Sequence, residues 1–170
     1  MKRLLLTFLM IFGIFCTLLY GQMGSRQAGL RTGFRSGIFY QVTGKAGAAE
    51  IGYNAMLSFY NSGLQITGLR IVYETTLQDI SPDLYFAWGY GGHIGFVYTN
   101  HLAFLRERYD FRGERFCPLI GADGWGAIEY RFRDIPLNIS LNLKPYVELT
   151  VPAFVRLMPG DFGISVSYVF

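Results

Sequence analysis

The sequence predicts an all-β protein, an eight-stranded antiparallel up-and-down transmembrane β-barrel, from three observations. The stretch 137–151, LNISLNLKPYVELTV, alternates apolar and polar residues over fifteen positions, which gives a strand one oily and one polar face. A soluble strand of that length is unusual, whereas a tilted membrane strand needs about 9–11 residues between lipid and a polar lumen. The composition is 51% hydrophobic and 17% aromatic, with the apolar residues dispersed in alternation after the first segment. The chain also ends on an alternating strand, GISVSYVF.

The first segment, residues 1–22, has the build of a secretory signal peptide. Two basic residues precede a largely apolar run of seventeen residues at positions 4–20, which is at the short limit for a retained membrane helix. Acylation of Cys16, as in a lipoprotein, needs a small residue just before the cysteine. Phe15 stands at that position, so we do not expect a lipoprotein. We therefore expect residues 1–22 to be cleaved and residues 23–170 to form a single barrel domain.

The charge and the cysteines exclude several classes of protein. Removing the two basic residues of the signal leaves 13 basic against 12 acidic residues, so the net charge is near +1 and nucleic-acid binding has no support. Cys117 is then the one cysteine left, and no internal disulfide is expected. Two histidines on different elements and a lone thiol are too few ligands for a metal site. We expect no metal, no cofactor and no catalytic residue.

The first half of the mature chain contains three alternating segments. The run 29–43 alternates throughout, and TGKAGA after it is a turn by composition. The run 50–60 alternates next, and Asn61-Ser62-Gly63 is a tight hairpin connection. In the run 64–74 the apolar phase changes near Gly68, which predicts a β-bulge that turns Arg70 and Glu74 toward the polar face.

The second half contains the aromatic-rich strand and the longest connection. The run 84–98, LYFAWGYGGHIGFVY, has bulky aromatic residues on one face and mostly small residues on the other. Residues 99–118 are highly charged and are predicted to be an external connection. The run 120–133 alternates and leads through the turn 134–136 into the opening stretch. A loop at 152–161 precedes the last strand.

The number of strands follows from a rule about barrels. Seven alternating runs are present if 29–43 is one strand, but single-chain bacterial barrels have an even number. A turn at Arg35-Ser36-Gly37 would divide the first run into two short strands, 27–34 and 37–42, and so bring the number to eight. The rival is a hairpin made of residues 102–111 inside the long connection. We favour the fold at Arg35-Ser36-Gly37.

The polar faces of these strands carry charges of both signs. Eight strands leave an interior that side chains can fill, and buried charges must be paired. We therefore predict a network of ion pairs and hydrogen bonds that plugs the lumen. Its members are Arg31, Glu50, Arg70, Glu74, Asp123, Glu129, Arg131, Lys144 and Glu148.

With these residues laid out, the chain resembles the small outer-membrane β-barrel proteins common in Bacteroidetes, similar in size and architecture to OmpX/OmpA-type eight-stranded barrels. The resemblance rests on GLRTGFRSGIFYQ, GLQITGLRIVYE, GYGGHIGFVY, GADGWGAIEYRFRDIPLNISLNLKPYVEL and ISVSYVF. It implies a bacterial outer-membrane location, contact with membrane lipid and lipopolysaccharide, and insertion by the barrel assembly machinery. Tyr168 and Phe170 resemble the C-terminal signal that this machinery reads. Relatives mostly lack assigned functions.

Enzymatic roles have little support from the residues. His93 lies between glycines on the inward face, where a hydrogen-bonded structural role is expected. Some eight-stranded barrels modify lipids with a His and a Ser close together on the outer surface. Here neither histidine has a serine two residues away on its own face, and Thr99 beside His101 is a weak substitute.

Three functions therefore remain, in this order of preference. The first is a structural or interaction barrel, including a subunit of a larger outer-membrane assembly. The second is a narrow pore or small-molecule binder, and the third is a lipid-modifying enzyme. Partner contact, with outer-membrane proteins or lipopolysaccharide, is expected at the long connection, because arginine and aromatic residues are favoured at interfaces. Its candidate residues are Phe104, Arg106, Arg108, Tyr109, Phe111 and Arg112.

Overall fold

The computed structural model of the protein describes residues 25–47, 49–60, 62–104, 107–150 and 154–170. Regular structure within these ranges is entirely β. The predicted signal peptide, residues 1–22, lies outside them. No helix in the described ranges has the length and apolar character needed to cross a membrane.

The strands form one closed antiparallel sheet in which sequence neighbours are also spatial neighbours. β7 and β8 are two parts of one barrel strand, interrupted at Lys144-Pro145, and β9 and β10 are two parts of the last one, so the barrel has eight strands. The bounds are β1 Ser25–Gly33, β2 Ser36–Ala46, β3 Ala49–Tyr60, β4 Gly63–Glu74, β5 Leu84–Phe104, β6 Glu107–Arg131, β7 Leu137–Leu143, β8 Tyr146–Thr150, β9 Phe154–Met158 and β10 Phe162–Val169.

Closure of the barrel is made by β1 and β10, which pair in the register Leu30↔Val166. The predicted all-β, eight-stranded, antiparallel up-and-down barrel is thus confirmed. The fold at Arg35-Ser36-Gly37 is confirmed as well, because β1 ends at Gly33 and β2 begins at Ser36. The rival hairpin at 102–111 exists only as the tip of the β5–β6 hairpin and adds no strand to the barrel.

The two ends of the barrel differ. One end, called the terminal end below, carries Ser25, Phe170 and the connections that follow β2, β4 and β6. Phe170 is hydrogen-bonded to β1 at this end, since its amide donates to the Arg26 carbonyl over 2.9 Å. The opposite end, called the loop end, carries the short β1–β2 and β3–β4 turns and the long β5–β6 and β8–β9 hairpins.

Two segments predicted as loops are strands. Residues 99–118 continue the β5–β6 ladder to the pair Phe104↔Glu107, with one register irregularity between Thr99 and His101. Part of 152–161 forms β9, which pairs with β8. Both extensions project beyond the β1–β2 and β3–β4 turns. Charged residues on both faces of the β5–β6 extension removed the alternation that reveals a strand in the sequence, and β9 is only five residues long.

The barrel wall alternates as predicted on most strands, but the predicted bulge at Gly68 is wrong. β4 pairs with β3 and β5 without a shift of register, so Leu69, Ile71 and Tyr73 point into the lumen and are buried. They pack in an apolar layer in the middle of the lumen, on its β3–β6 side, with Met56, Ala87 and Ala127. The sequence predicts Leu69, Ile71 and Tyr73 on the outer wall, and their position in this layer corrects that prediction.

Candidate functional site

The lumen is the candidate site, and it has three layers. The apolar layer (Met56, Leu69, Ile71, Ala87, Ala127 and the ring of Tyr73, with Phe39 and Trp125 against it) lies between two charged clusters on the β3–β6 side of the lumen. Uncharged polar side chains of β1, β7 and β10 lie beside it. The loop-end cluster consists of Arg31, Arg35, His93, Asp123, Lys144, Glu148 and Asp161, all buried. The terminal-end cluster consists of Glu50, Tyr73, Glu129 and Arg131.

A line of four polar side chains runs through the loop-end cluster. Lys144 Nζ donates to Asp123 Oδ1 over 2.8 Å, and Asp123 Oδ2 lies 2.7 Å from His93 Nδ1. On the other side of the imidazole, His93 Nε2 lies 3.3 Å from Glu148 Oε2, although the angle is not that of a hydrogen bond. Both ring nitrogens therefore face carboxylates.

Gly121 makes the space in which His93 lies. It faces His93 on one neighbouring strand and Glu148 on the other. A Cβ at position 121 would lie 2.5 Å from His93 Cε1 and 2.4 Å from the Val147 carbonyl oxygen. The missing side chain thus lets the imidazole lie across β6 toward Glu148. Tyr146 closes the other side, edge-on to the imidazole with ring centroids 5.6 Å apart.

Two arginines from the β1–β2 turn region complete this cluster. Arg35 Nη2 lies 3.1 Å from Glu148 Oε2, its guanidinium carbon is 4.3 Å from the centre of the Tyr146 ring, and it donates to Gln65. Arg31 donates to both carboxylate oxygens of Asp161 at 3.2 and 3.3 Å. These contacts tie the first two strands to β8 and to the residue before β10.

The terminal-end cluster is centred on Arg131. Its guanidinium lies 2.8 Å from Glu50 Oε1 and 2.7 Å from Glu129 Oε1, and it packs 4.1 Å from the centre of the Tyr85 ring. The Tyr73 hydroxyl donates to Glu129 over 3.4 Å. Arg131 and Glu50 are half-buried, because a cavity of about 460 Å³ opens beside Arg131 at this end of the barrel.

Little space is left between the layers. A cavity bordered by the apolar layer, Tyr73 and Glu129 has a volume of about 20 Å³, room for about one water molecule. The paired charges also hold the clusters in place, because removing one partner of a buried ion pair costs roughly 3–5 kcal/mol. The arrangement is that of a plug.

The lumen residues predicted from the sequence fall into three groups. Five are buried in the lumen: Arg31, Asp123, Glu129, Lys144 and Glu148. Glu50 and Arg131 are half-buried at the terminal end. Arg70 and Glu74 lie on the outer wall, which corrects their assignment to the lumen. The Arg70 guanidinium lies over the Tyr90 ring, and Glu74 accepts the indole N–H of Trp88 over 2.7 Å.

Sequence reasoning missed Arg35 and Asp161. The sequence analysis places Arg35 in a turn. Because Arg35 is two and four residues after Gly33 and Arg31, it falls on the same inward face as they do, and this spacing could have revealed it. Asp161 stood in a predicted loop. No local pattern marks it, because its partner Arg31 is 130 positions away.

The predicted partner segment lies at the tip of the β5–β6 hairpin. The backbone of Phe104, Arg108, Tyr109 and Phe111 is in strand. The side chains of these four residues, and Arg106 altogether, lie outside the described part. Arg112 is exposed beyond the barrel rim.

The side chains of the two charged clusters are held in ion pairs and hydrogen bonds. Within the described ranges, no group of three His, Cys, Asp or Glu is arranged to hold a metal ion. The two carboxylates beside His93, those of Asp123 and Glu148, form ion pairs with Lys144 and Arg35.

No known protein family, curated protein or solved structure matches the chain.

Proposed function

We propose that the protein is an integral β-barrel of a bacterial outer membrane with a structural or interaction role, including that of a subunit in a larger outer-membrane assembly. The observation that carries this proposal is the outer wall. Large apolar side chains are exposed all around the barrel, among them Leu30 at 64%, Ile94 at 58% and Leu141 at 60%. Soluble proteins rarely expose contiguous apolar patches larger than a few hundred Å². Lipid is the environment that suits such a wall.

Two groups of aromatic residues, one toward each end of the wall, support the same environment. Phe96, Tyr98 and Phe116 pack together at the loop end, with ring centroids 5.3 to 5.9 Å apart. Trp88, Tyr130, Phe132, Tyr168 and Phe170 are exposed toward the terminal end. Trp88 and Tyr98 are ten residues apart on β5, about 25 Å along the axis for strands tilted by about 40°. Membrane barrels have a lipid-facing band about 25 Å tall between two aromatic girdles.

The filled lumen favours a structural or interaction role over a pore. Partner contact is then left to the parts outside the band, and the β5–β6 hairpin is the longest of these. Arg112, Glu114 and Arg115 are exposed on it. Their mixed charges suit contact with lipopolysaccharide headgroups or with a neighbouring outer-membrane protein.

Fractionation of the native cell tests the location. The full-length protein should sediment with the outer membrane and resist carbonate extraction, and it should migrate differently on gels before and after boiling. A soluble fraction holding most of the folded protein would overturn the proposal.

Deletion of residues 103–114 tests the interaction role. The ladder from Leu84↔Tyr130 to Thr99↔Arg115 remains, so the barrel should still insert. Any protein that co-purifies in mild detergent should be lost. Co-purification of the same partners without the hairpin would remove this segment from the proposal.

A further inference from the structure

Arg70 is a charged residue on the apolar outer wall. It stands in the middle of a cross-strand row on β3, β4 and β5, with the register Tyr53↔Arg70↔Tyr90. The two tyrosines are 52% and 56% exposed. The guanidinium carbon lies 5.9 Å from the centre of the Tyr90 ring, within the range of a cation–π contact. A cation framed by two exposed phenols thus faces outward.

No protein carboxylate balances this charge within the described ranges, where the ion pairs do not include Arg70. Glu74 shares its face of β4 but is four residues away, about 13 Å along the strand. Its carboxylate already accepts the indole N–H of Trp88 over 2.7 Å. The outer surface at Arg70 is therefore complementary to an anion that comes from outside the chain.

Arg70 lies nearer to the terminal-end level of aromatic residues than to the loop-end level. Its neighbour Tyr90 is two residues from Trp88, at the terminal-end level of aromatic residues, and eight residues from Tyr98 at the other level. Long arginine side chains reach from an apolar surface toward the polar boundary. The anion would thus sit at headgroup level on the terminal-end side.

A shallow trough runs next to this row on the outer wall. Its floor is a cross-strand row of small residues, Ala55↔Gly68↔Gly92↔Ala122. Its far wall is the parallel row Leu57↔Ile66↔Ile94↔Ile120. No heavy atom lies within 4 Å of where a Cβ would stand at Gly68. The trough is apolar, narrow and open to the outside.

We propose that this surface binds a phospholipid, with Arg70 holding the phosphate and the trough accommodating an acyl chain. A guanidinium matches phosphate oxygens with paired, charge-assisted hydrogen bonds, and the hydroxyls of Tyr53 and Tyr90 add donors beside it. Inorganic phosphate has the same headgroup chemistry but leaves the trough empty, so the lipid is the source that uses both features. The inference rests on the proposed membrane location.

The test is lipid retention measured by native mass spectrometry. Purified full-length protein is reconstituted with a mixture of phosphatidylethanolamine, phosphatidylglycerol and phosphate-free diacylglycerol, then extracted in mild detergent. The wild type should keep a phospholipid and not diacylglycerol. Arg70→Gln should keep about tenfold less, because a charge-assisted bond to phosphate is lost. Arg133→Gln, which removes an exposed arginine at the terminal end whose charge is already paired with Asp83, is the matched control and should behave as the wild type.

Other outcomes would overturn the inference. Equal retention by Arg70→Gln, or equal retention of diacylglycerol, would remove the role of the phosphate. Displacement of the lipid by inorganic phosphate alone would reduce the surface to a simple anion site. A change of oligomeric mass in Arg70→Gln would make a carboxylate of a second copy the occupant. Failure of the wild type to enter the bilayer would instead overturn the proposed function, so the two failures are distinguishable.

Discussion

His93 Nδ1 lies 2.7 Å from Asp123 Oδ2, and both side chains are sealed inside the barrel. Asp123 also accepts from Lys144 over 2.8 Å, so one carboxylate contacts two side chains from different parts of the barrel wall. This three-way contact joins β5, β6 and the break between β7 and β8. The loop-end cluster is therefore a cross-brace of the barrel wall as well as a plug.

Asp123→Asn should destabilise the barrel strongly. The substitution leaves the buried Lys144 without its carboxylate, and breaking a buried pair in this way costs roughly 3–5 kcal/mol. Urea unfolding of the detergent-solubilised protein, followed by tryptophan fluorescence, measures the free energy of unfolding. Glu114→Gln, on the exposed part of the hairpin, is the control and should change it little. Equal stability of the two variants would contradict the cross-brace.

Gly121→Ala should destabilise the barrel, whereas Gly126→Ala on the same strand should not. A Cβ at position 121 meets His93 Cε1 at 2.5 Å, while nothing lies within 4 Å of a Cβ at position 126. Overpacking of this kind typically costs about 1–3 kcal/mol. The same urea titration compares the two. Similar unfolding midpoints would mean that the imidazole does not occupy this space.

Leu141→Arg should impair insertion into liposomes far more than Asn142→Asp. Leu141 faces outward on β7, where an arginine costs about 2–4 kcal/mol at the midplane of a bilayer. Asn142 faces the lumen and accepts from Arg31 over 2.7 Å, a contact that an aspartate keeps. The fraction of the protein that migrates differently on a gel before and after boiling measures insertion. Equal damage from both substitutions would argue against the lipid-facing wall.

The wild-type barrel should show no stable conductance in planar bilayers. The apolar layer and the two polar clusters fill the lumen, and the cavity between them measures about 20 Å³. A porin of sixteen strands, whose lumen is wide enough for water, is the positive control. A reproducible open level would favour the pore over the structural role.

The strand pattern was predictable wherever one face of a strand is uniformly apolar, as at 137–150. It failed at β4, because Leu69 and Ile71 face an apolar layer inside the lumen and mimic a change of phase. It also failed at the tip of the β5–β6 hairpin, where both faces are charged. The pairing of Arg31 with Asp161 was out of reach, because it depends on closure between the first strand and the last.

The most direct test of the account is the accessibility of nitroxide labels on the outer wall in phospholipid bilayers. Three labels replace the outward-facing residues Leu30, Ile94 and Leu141, called the belt positions. Two more replace Arg112 and Glu114 on the hairpin, and Cys117→Ser removes the native thiol. All five positions are exposed, so the labels leave the lumen untouched. The account predicts that oxygen, which concentrates in lipid, relaxes the belt labels more than a water-soluble nickel chelate does, with the reverse on the hairpin. Belt labels that the nickel chelate reaches as readily as those on the hairpin would contradict a barrel embedded in lipid.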